Sequence, residues 1–379
     1  MKKSFLLSPD VTFLNHGSFG ACPRPVFDKY QHWQKELELQ PVQFMAEDIY
    51  AHLETARNRL GTYIGCEGDD LFFVPNPTTG INTVINSLHL NQKDEVLSTD
   101  HEYGALIRGW NRFAQETKTH FIQRDIPLPC STHEEFTNHF MSGISQNTKV
   151  IFMSHITSST ALIFPVYEIC KKARENGIIT IIDGAHVPGH IPLTISEFDP
   201  DVYVGACHKW LCAPKGSSFL YVRKSFQEKI KPLITSWGYE GSDPSNSIFL
   251  LENQWQGTRD LSAFLSVPDA IEFQLKNNWD ELIKKSKWQV RETRSRLDEY
   301  FDLDHLCPNT EEWLGQMASI EINTEDEIKL KDTLLKEFSI EVPIFKWKGK
   351  TLLRYSVNVY NDQQDLDLLI YALRDLLKN

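Results

Sequence analysis

Lys209 stands where a charge is costly. Residues 201–206 are an apolar run that reads as a short strand, and His208 and Lys209 close it. A turn with Pro214 and Gly216 follows, then a second apolar strand at 218–222. Burial disfavours the charged form of an amine and lowers its pKa, which suits a lysine meant to form a Schiff base. Upstream, the apolar run 178–182 ends in Asp183, with His186 just beyond. A carboxylate at one strand end and an amine at another are the parts of a site that moves protons at carbon.

The elements that must position these groups alternate. Strands are expected at 71–74, 94–99, 119–122, 148–154, 178–182, 201–206 and 218–222, with helices between most of them. Such alternation implies right-handed crossovers and a mostly parallel sheet covered on both faces, with ligands at the carboxyl ends of its strands. Residues 75–88 read as a hydroxyl-rich turn entering a helix, with Ile81, Val84, Ile85 and Leu88 as its buried stripe. That arrangement offers backbone N–H groups to an anion. Thr78 and Thr79 could equally be simple N-caps. No Gly-Lys-Ser/Thr follows, so this is not a Walker loop. Further helices are expected over 26–39, 46–64, 132–142, 165–176, 262–277 and 279–300, and a surface loop over 236–246. The tail reads strand, helix, strand, helix from Ala318 to Leu377, a smaller α+β unit. We expect an N-terminal segment at 1–20 lining the site, a large domain at 21–260 and a small domain at 261–379.

Composition narrows the function classes. The formal net charge of −12 argues against a nucleic-acid partner, which would need a basic face. Seven cysteines at scattered spacing suggest neither a metal site nor a disulfide framework, and a reducing cytoplasm is the simplest compartment for them. The short apolar run at the start is interrupted by Pro9 and Asp10, unlike a secretory signal. No run approaches the ~20 apolar residues of a membrane span, so no membrane partner is expected.

Singly, each candidate has an ordinary explanation. Asp183 could cap a turn, Lys209 could be a core lysine whose amine snorkels to solvent, and His186 and His208 could be satisfied loop histidines. Together they match the needs of pyridoxal phosphate (PLP). That cofactor requires a lysine to hold it and shuttle the α-proton, a carboxylate to keep its pyridine nitrogen protonated, and donors for its phosphate.

At these residues the chain resembles the class V aminotransferase-like family of fold-type I PLP enzymes, and within it the isopenicillin N epimerase branch. The matching stretches are 14–20 (Leu-Asn-His-Gly-Ser-Phe-Gly), 76–80 (Asn-Pro-Thr-Thr-Gly), 99–105 (Thr-Asp-His-Glu-Tyr-Gly-Ala), 183–189, 208–214, 256–260 and 354–361. The resemblance implies a large domain with a seven-stranded, mostly parallel sheet. It implies that Lys209 carries PLP, Asp183 pairs with the ring nitrogen and His186 sits near the phenolic oxygen. Thr78, Thr79 and His208 would bind phosphate, and Tyr103 would stack on the ring, with His101 the lesser candidate. Gly257 and Thr258 would reach the other subunit's phosphate, which implies an obligate homodimer with shared active sites. Arg354 would grip a substrate α-carboxylate, a role suited to its bidentate fork, with Asn15 and His16 on the substrate side.

The resemblance leaves the reaction at an amino acid's α-carbon open in three directions. Reprotonation on the opposite face gives epimerisation, the reading ranked first. Loss of a β-substituent from a cysteine-type substrate gives a C–S lyase, ranked second, and proton return to the cofactor gives transamination, third. Desulfurases of this family carry a nucleophilic cysteine some tens of residues before the carboxylate-binding arginine, and no cysteine lies between Cys307 and Arg354, which argues against a persulfide-forming desulfurase. A non-catalytic relative that only binds the cofactor stays as a remote alternative, against which stand Lys209, Asp183 and Arg354 together.

Overall fold

The computed structural model describes residues 1–241 and 247–377, so part of the loop expected over 236–246 lies outside the described residues. In chain order the strands are β1 (Thr12–Phe13), β2 (Leu71–Val74), β3 (Glu95–Thr99), β4 (His120–Arg124), β5 (Thr148–Ser154), β6 (Ile179–Gly184), β7 (Val202–Ala206), β8 (Ser218–Val222), β9 (Met317–Glu321), β10 (Ile340–Glu341), β11 (Ile344–Trp347) and β12 (Lys350–Ser356).

A seven-stranded sheet runs β2-β8-β7-β6-β5-β3-β4. Only β8 is reversed, pairing antiparallel with β2 and β7, while the other pairs are parallel. The reversal has a local cause. β7 and β8 are joined by a helix-free turn too tight for a crossover, so the chain must come back alongside itself. That turn carries His208 and Lys209. It is pinned by Cys207 and His208 N–H groups that both donate to the Ser217 carbonyl, at 3.1 Å each. Gly216 takes φ +89°, where a side chain would be strained.

Alternate residues of the strands face two different cores, as the period of two requires. Phe73, Ile151, Met153, Ile182, Tyr203 and Phe219 enter one; Phe72, Phe152, Ile181, Val202, Val204 and Leu220 enter the other. Ile81, Val84 and Ile85 of the helix Pro77–Ser87 pack on the second core, the stripe expected from their spacing. A Cβ at Gly80 of that helix would come within 2.7 Å of Val204, so the glycine lets the helix start close against β7.

The smaller unit is an antiparallel sheet, β11-β12-β9, flanked by the helices Glu327–Phe338 and Gln363–Leu376. The tail reading missed β10 and β11. β11 turns into β12 through Lys348 and Gly349, both with positive φ (48° and 82°). A Lys-Gly pair in that hairpin turn carries a weaker signal than Asn-Gly. The helix expected over 46–64 begins as an α-helix at Ile49, and Phe44–Asp48 form a π-helical turn ahead of it. β1 pairs in parallel with β10, and the Ser356 N–H donates to the Leu14 carbonyl at 2.8 Å. The first twenty residues are thereby tied to the small sheet and led past the Lys209 turn.

Candidate active site

Three parallel strands end side by side, and the site is built on their carboxyl ends. Ser154 ends β5 and is the register partner of Asp183 on β6, and β6 in turn pairs with β7. The Lys209 amine lies 3.1 Å from His186 Nε2. On the other side of that imidazole, the Trp210 indole N–H donates to Nδ1 at 3.3 Å. An indole only donates, so Nδ1 is unprotonated and a neutral ring carries its hydrogen on Nε2, aimed at the lysine amine. Burial pushes the His186 pKa well below the usual range, with the Lys209 charge adding to the effect. Burial, and then the Arg354 charge, lower the Lys209 pKa to about 7. Both groups therefore favour a neutral amine that accepts a hydrogen bond, the nucleophilic form.

Asp183 is buried and, among the described residues, accepts a hydrogen bond from the Ala185 N–H at 2.9 Å. Burial raises its pKa while that bond and the Lys209 charge pull it back. His208 donates from Nδ1 to the Ser217 carbonyl at 2.9 Å, which leaves Nε2 as an acceptor. Burial drives its pKa down to about 4.

The helix Pro77–Ser87 starts beside β7, and its N-cap is Asn76. The Asn76 side-chain oxygen, Oδ1, accepts from both the Thr79 N–H (2.8 Å) and the Thr79 hydroxyl (3.1 Å). Neither threonine is the cap, so the ordinary explanation for this pair gives way to a hydroxyl-bearing first turn.

Arg354, on β12, reaches the site from the small sheet and is 4% exposed. Its Nη1 donates to the Ser158 carbonyl at 2.5 Å and its Nη2 to the Ser18 hydroxyl at 3.0 Å, while the buried Nε has no hydrogen-bond partner among the described residues. Burial lowers its pKa to about 10, and the Tyr103 phenol acts in the opposite sense. Tyr103 itself is 47% exposed, just before the helix Gly104–Thr117. Asn15 backs this arginine indirectly, because its side-chain oxygen accepts from the Ser18 hydroxyl at 2.5 Å. His16 is fully buried, with Nε2 3.0 Å from the Lys209 carbonyl and Nδ1 2.9 Å from the Tyr360 hydroxyl. Its place is under the lysine turn.

Gly257 (φ +96°) and the exposed Thr258 share no hydrogen bond with this cluster among the described residues. Sequence reasoning missed Ser18, Ser158, Glu102 and Trp210. Of these, Trp210 was the most findable, since a buried indole beside a candidate lysine needs an acceptor.

A mostly parallel seven-stranded sheet with one reversed strand, a lysine in the turn before that strand, and a smaller antiparallel C-terminal sheet define a fold-type I PLP enzyme. Residues 20–369 match the family described as Aminotransferase class-V. The isopenicillin N epimerase of Amycolatopsis lactamdurans is 33% identical over 98% of this chain and 96% of its own length. A probable chloroplastic L-cysteine desulfhydrase of Arabidopsis thaliana is 26% identical over 98% of this chain and 84% of its own. Among solved structures, the cystine C–S lyase C-DES in complex with its product cysteine persulfide shares the fold with TM-score 0.84. That match has 19% identity and covers 97% of this chain and 98% of that one. The chain belongs to the class-V aminotransferase family and is a PLP-dependent enzyme. The groups present fit the cofactor: a buried amine, a buried carboxyl with no cationic partner within hydrogen-bond reach among the described residues, and a helix N-terminus bearing two hydroxyls.

Proposed function

We propose that this enzyme breaks the β C–S bond of a cysteine-type amino acid by elimination. The observation that supports this reading is that, among the described residues, the buried Lys209 amine, held 3.1 Å from His186 Nε2, is the group placed to move a proton, and burial favours its neutral form. Burial lowers the Lys209 pKa to about 7, those of His16 and His208 to about 3 and about 4, and that of His186 well below its usual range, so the amine is the strongest base of the four. Elimination needs one such group. Epimerisation needs a second acid on the opposite face. The names of the cysteine desulfhydrase and cystine lyase relatives point the same way.

In this reading Lys209 would hold PLP, Asp183 would face its ring nitrogen and His186 would sit by the phenolic oxygen. Thr78, Thr79 and His208 would receive the phosphate, and Tyr103 would cover the ring. Bound PLP supplies an electron sink for negative charge at the substrate α-carbon. The chain's own groups do the rest. Arg354 receives the α-carboxylate, and Ser18, held by Asn15, fixes one edge of its guanidinium. His16 anchors the Lys209 backbone so that the amine moves on a fixed stem. Lys209 Nζ takes the α-proton and returns a proton to the departing sulfur. The Cα–H and Cβ–S bonds break, a Cα=Cβ bond forms, and the released 2-aminoacrylate takes up water to give pyruvate and ammonia.

The isopenicillin N epimerase relative supports a second reading, in which the α-proton returns on the other face. Tyr103, beside Arg354 and partly exposed, is the candidate second acid in that case. We place Gly257 and Thr258 at a partner subunit's phosphate in a homodimer. Phe19, Trp237 and Ile248 are 71%, 88% and 73% exposed, an apolar exposure that a second copy could cover. No helix among the described residues is long and apolar enough to cross a membrane, and we place the enzyme in the cytoplasm. We take 1–20, 21–260 and 261–379 as its units.

Purified protein loaded with PLP, incubated with L-cysteine or L-cystine, tests the reading. Pyruvate should accumulate with wild type and not with Lys209→Ala. Substrate turned over without pyruvate would remove the lyase assignment.

A further inference from the structure

Glu102 is a buried acid that none of the roles above uses. It is 4% exposed, one residue before Tyr103. One carboxyl oxygen accepts the Thr99 hydroxyl at 2.6 Å and the other accepts the Ser154 hydroxyl at 2.5 Å. Both donors sit on last residues of strands, Thr99 on β3 and Ser154 on β5. Ser154 is the register partner of Asp183. The backbone repeats the link, since the His155 N–H donates to the Asp183 carbonyl at 2.8 Å.

A buried carboxylate kept for stability is normally paired with a cation, because an unpaired buried charge is expensive. Here β3 and β5 present hydroxyls to Glu102, and the charged group acting on it is Asp183 of β6. Two buried acids thus flank the end of β5, Glu102 beyond β3 on one side and Asp183 of β6 on the other, without a cation between them among the described residues. Such a pair is stable once a cation arrives. Burial raises the Glu102 pKa to about 7, the Ser154 and Thr99 hydroxyls pull it back, and Asp183 pushes it further up. Its charge is therefore available to change near neutral pH.

We propose that Glu102 is a positioning residue that acts through Asp183, adding a second negative charge behind the seat of the cofactor's ring nitrogen and so helping to keep that nitrogen protonated. This rests on the reading of Asp183 as the nitrogen's partner. Glu102 acts by charge and makes no contact with substrate.

The test compares wild type, Glu102→Gln, Asp183→Asn and the double variant, each as PLP-loaded protein without substrate. Two quantities are read: the pH at which the visible band of the bound cofactor is half converted, and the PLP dissociation constant. Glu102→Gln should lower that midpoint by about half a pH unit or more and weaken PLP binding roughly 3- to 10-fold. In the Asp183→Asn background the same change should add less than about 2-fold, because the path through Asp183 is gone. Glu102→Asp, which keeps the charge, should recover most of the midpoint. If Glu102→Gln does not fold, Ser154→Ala should shift the midpoint in the same direction by a smaller amount, having removed a donor that stabilises the carboxylate. A wild-type midpoint and affinity in Glu102→Gln, beside an altered Asp183→Asn, would overturn the proposal alone. Equal effects of Glu102→Gln with and without Asp183 would overturn it too. An unaltered Asp183→Asn would remove the Asp183 reading first.

Discussion

At Lys209 two demands meet: the amine must be buried to be reactive, and burial of its charge destabilises the fold. The sign of the linkage follows. The amine's pKa falls from its ordinary 10.5 to about 7 on folding. Between those values the unfolded chain binds the extra proton, so the apoprotein gains stability as pH rises from about 7 to 10.5, loses it as pH falls back to about 7, and is insensitive to this group below that. Lys209→Met apoprotein should therefore melt above wild type at about pH 6, with the gap closing toward about pH 10; a constant gap in calorimetry would contradict the burial account. Capture of PLP by apoprotein should in turn speed up with pH, with a midpoint near 7, in stopped-flow absorbance. Around Arg354 the serines matter as supports. Ser18→Ala removes one hydrogen bond to the guanidinium. It should raise KM for amino acids about 3- to 10-fold at nearly constant kcat, the cost of one charge-assisted bond. Arg354→Ala should raise KM far more and leave PLP affinity nearly unchanged.

Elements explain why these residues arrive together. The helix-free turn between β7 and β8 forces the reversed strand and holds Lys209 on a pinned backbone. The N-terminal segment braces it: Gly20 sits at φ +71°, and a Cβ there would run into the His208 carbonyl. Gly20→Ala should cost roughly 2–4 kcal/mol in denaturant unfolding and also weaken PLP retention; loss of neither would free the segment from this role. Much of this was legible in the sequence. The apolar runs ending in Asp183 and Lys209 gave both strands and their shared edge, because period and termination are local signals. The cap at Asn76 was not legible, since Asn, Thr and Thr compete for one N-terminus and only geometry chooses. Nor was the Glu102 pairing, which joins β3 to β5 through hydroxyls that look like ordinary surface serine and threonine.

For the whole molecule, the sequence foretold a parallel sheet and a smaller C-terminal unit, and the structure has both. It put the first twenty residues beside the site but did not show the contacts that hold them there. Those residues pair with β10, cap Arg354 with Ser18 and underpin Lys209 with His16, contacts that span most of the chain length. Long-range closure of this kind leaves no periodic trace. At this scale the exposed Trp237 and Ile248 carry the dimer proposal. Ile248→Lys should shift the sedimentation coefficient toward a single chain and weaken PLP binding together, because Thr258 would then be lost from its partner's site.

The lyase reading is decided most directly by incubating the loaded enzyme with L-cysteine in D₂O and following both products by mass spectrometry. The account predicts pyruvate and ammonia in equal amounts, with the remaining substrate still of L configuration. Recovery of α-deuterated, racemised cysteine without pyruvate would contradict it and leave the epimerase reading in its place.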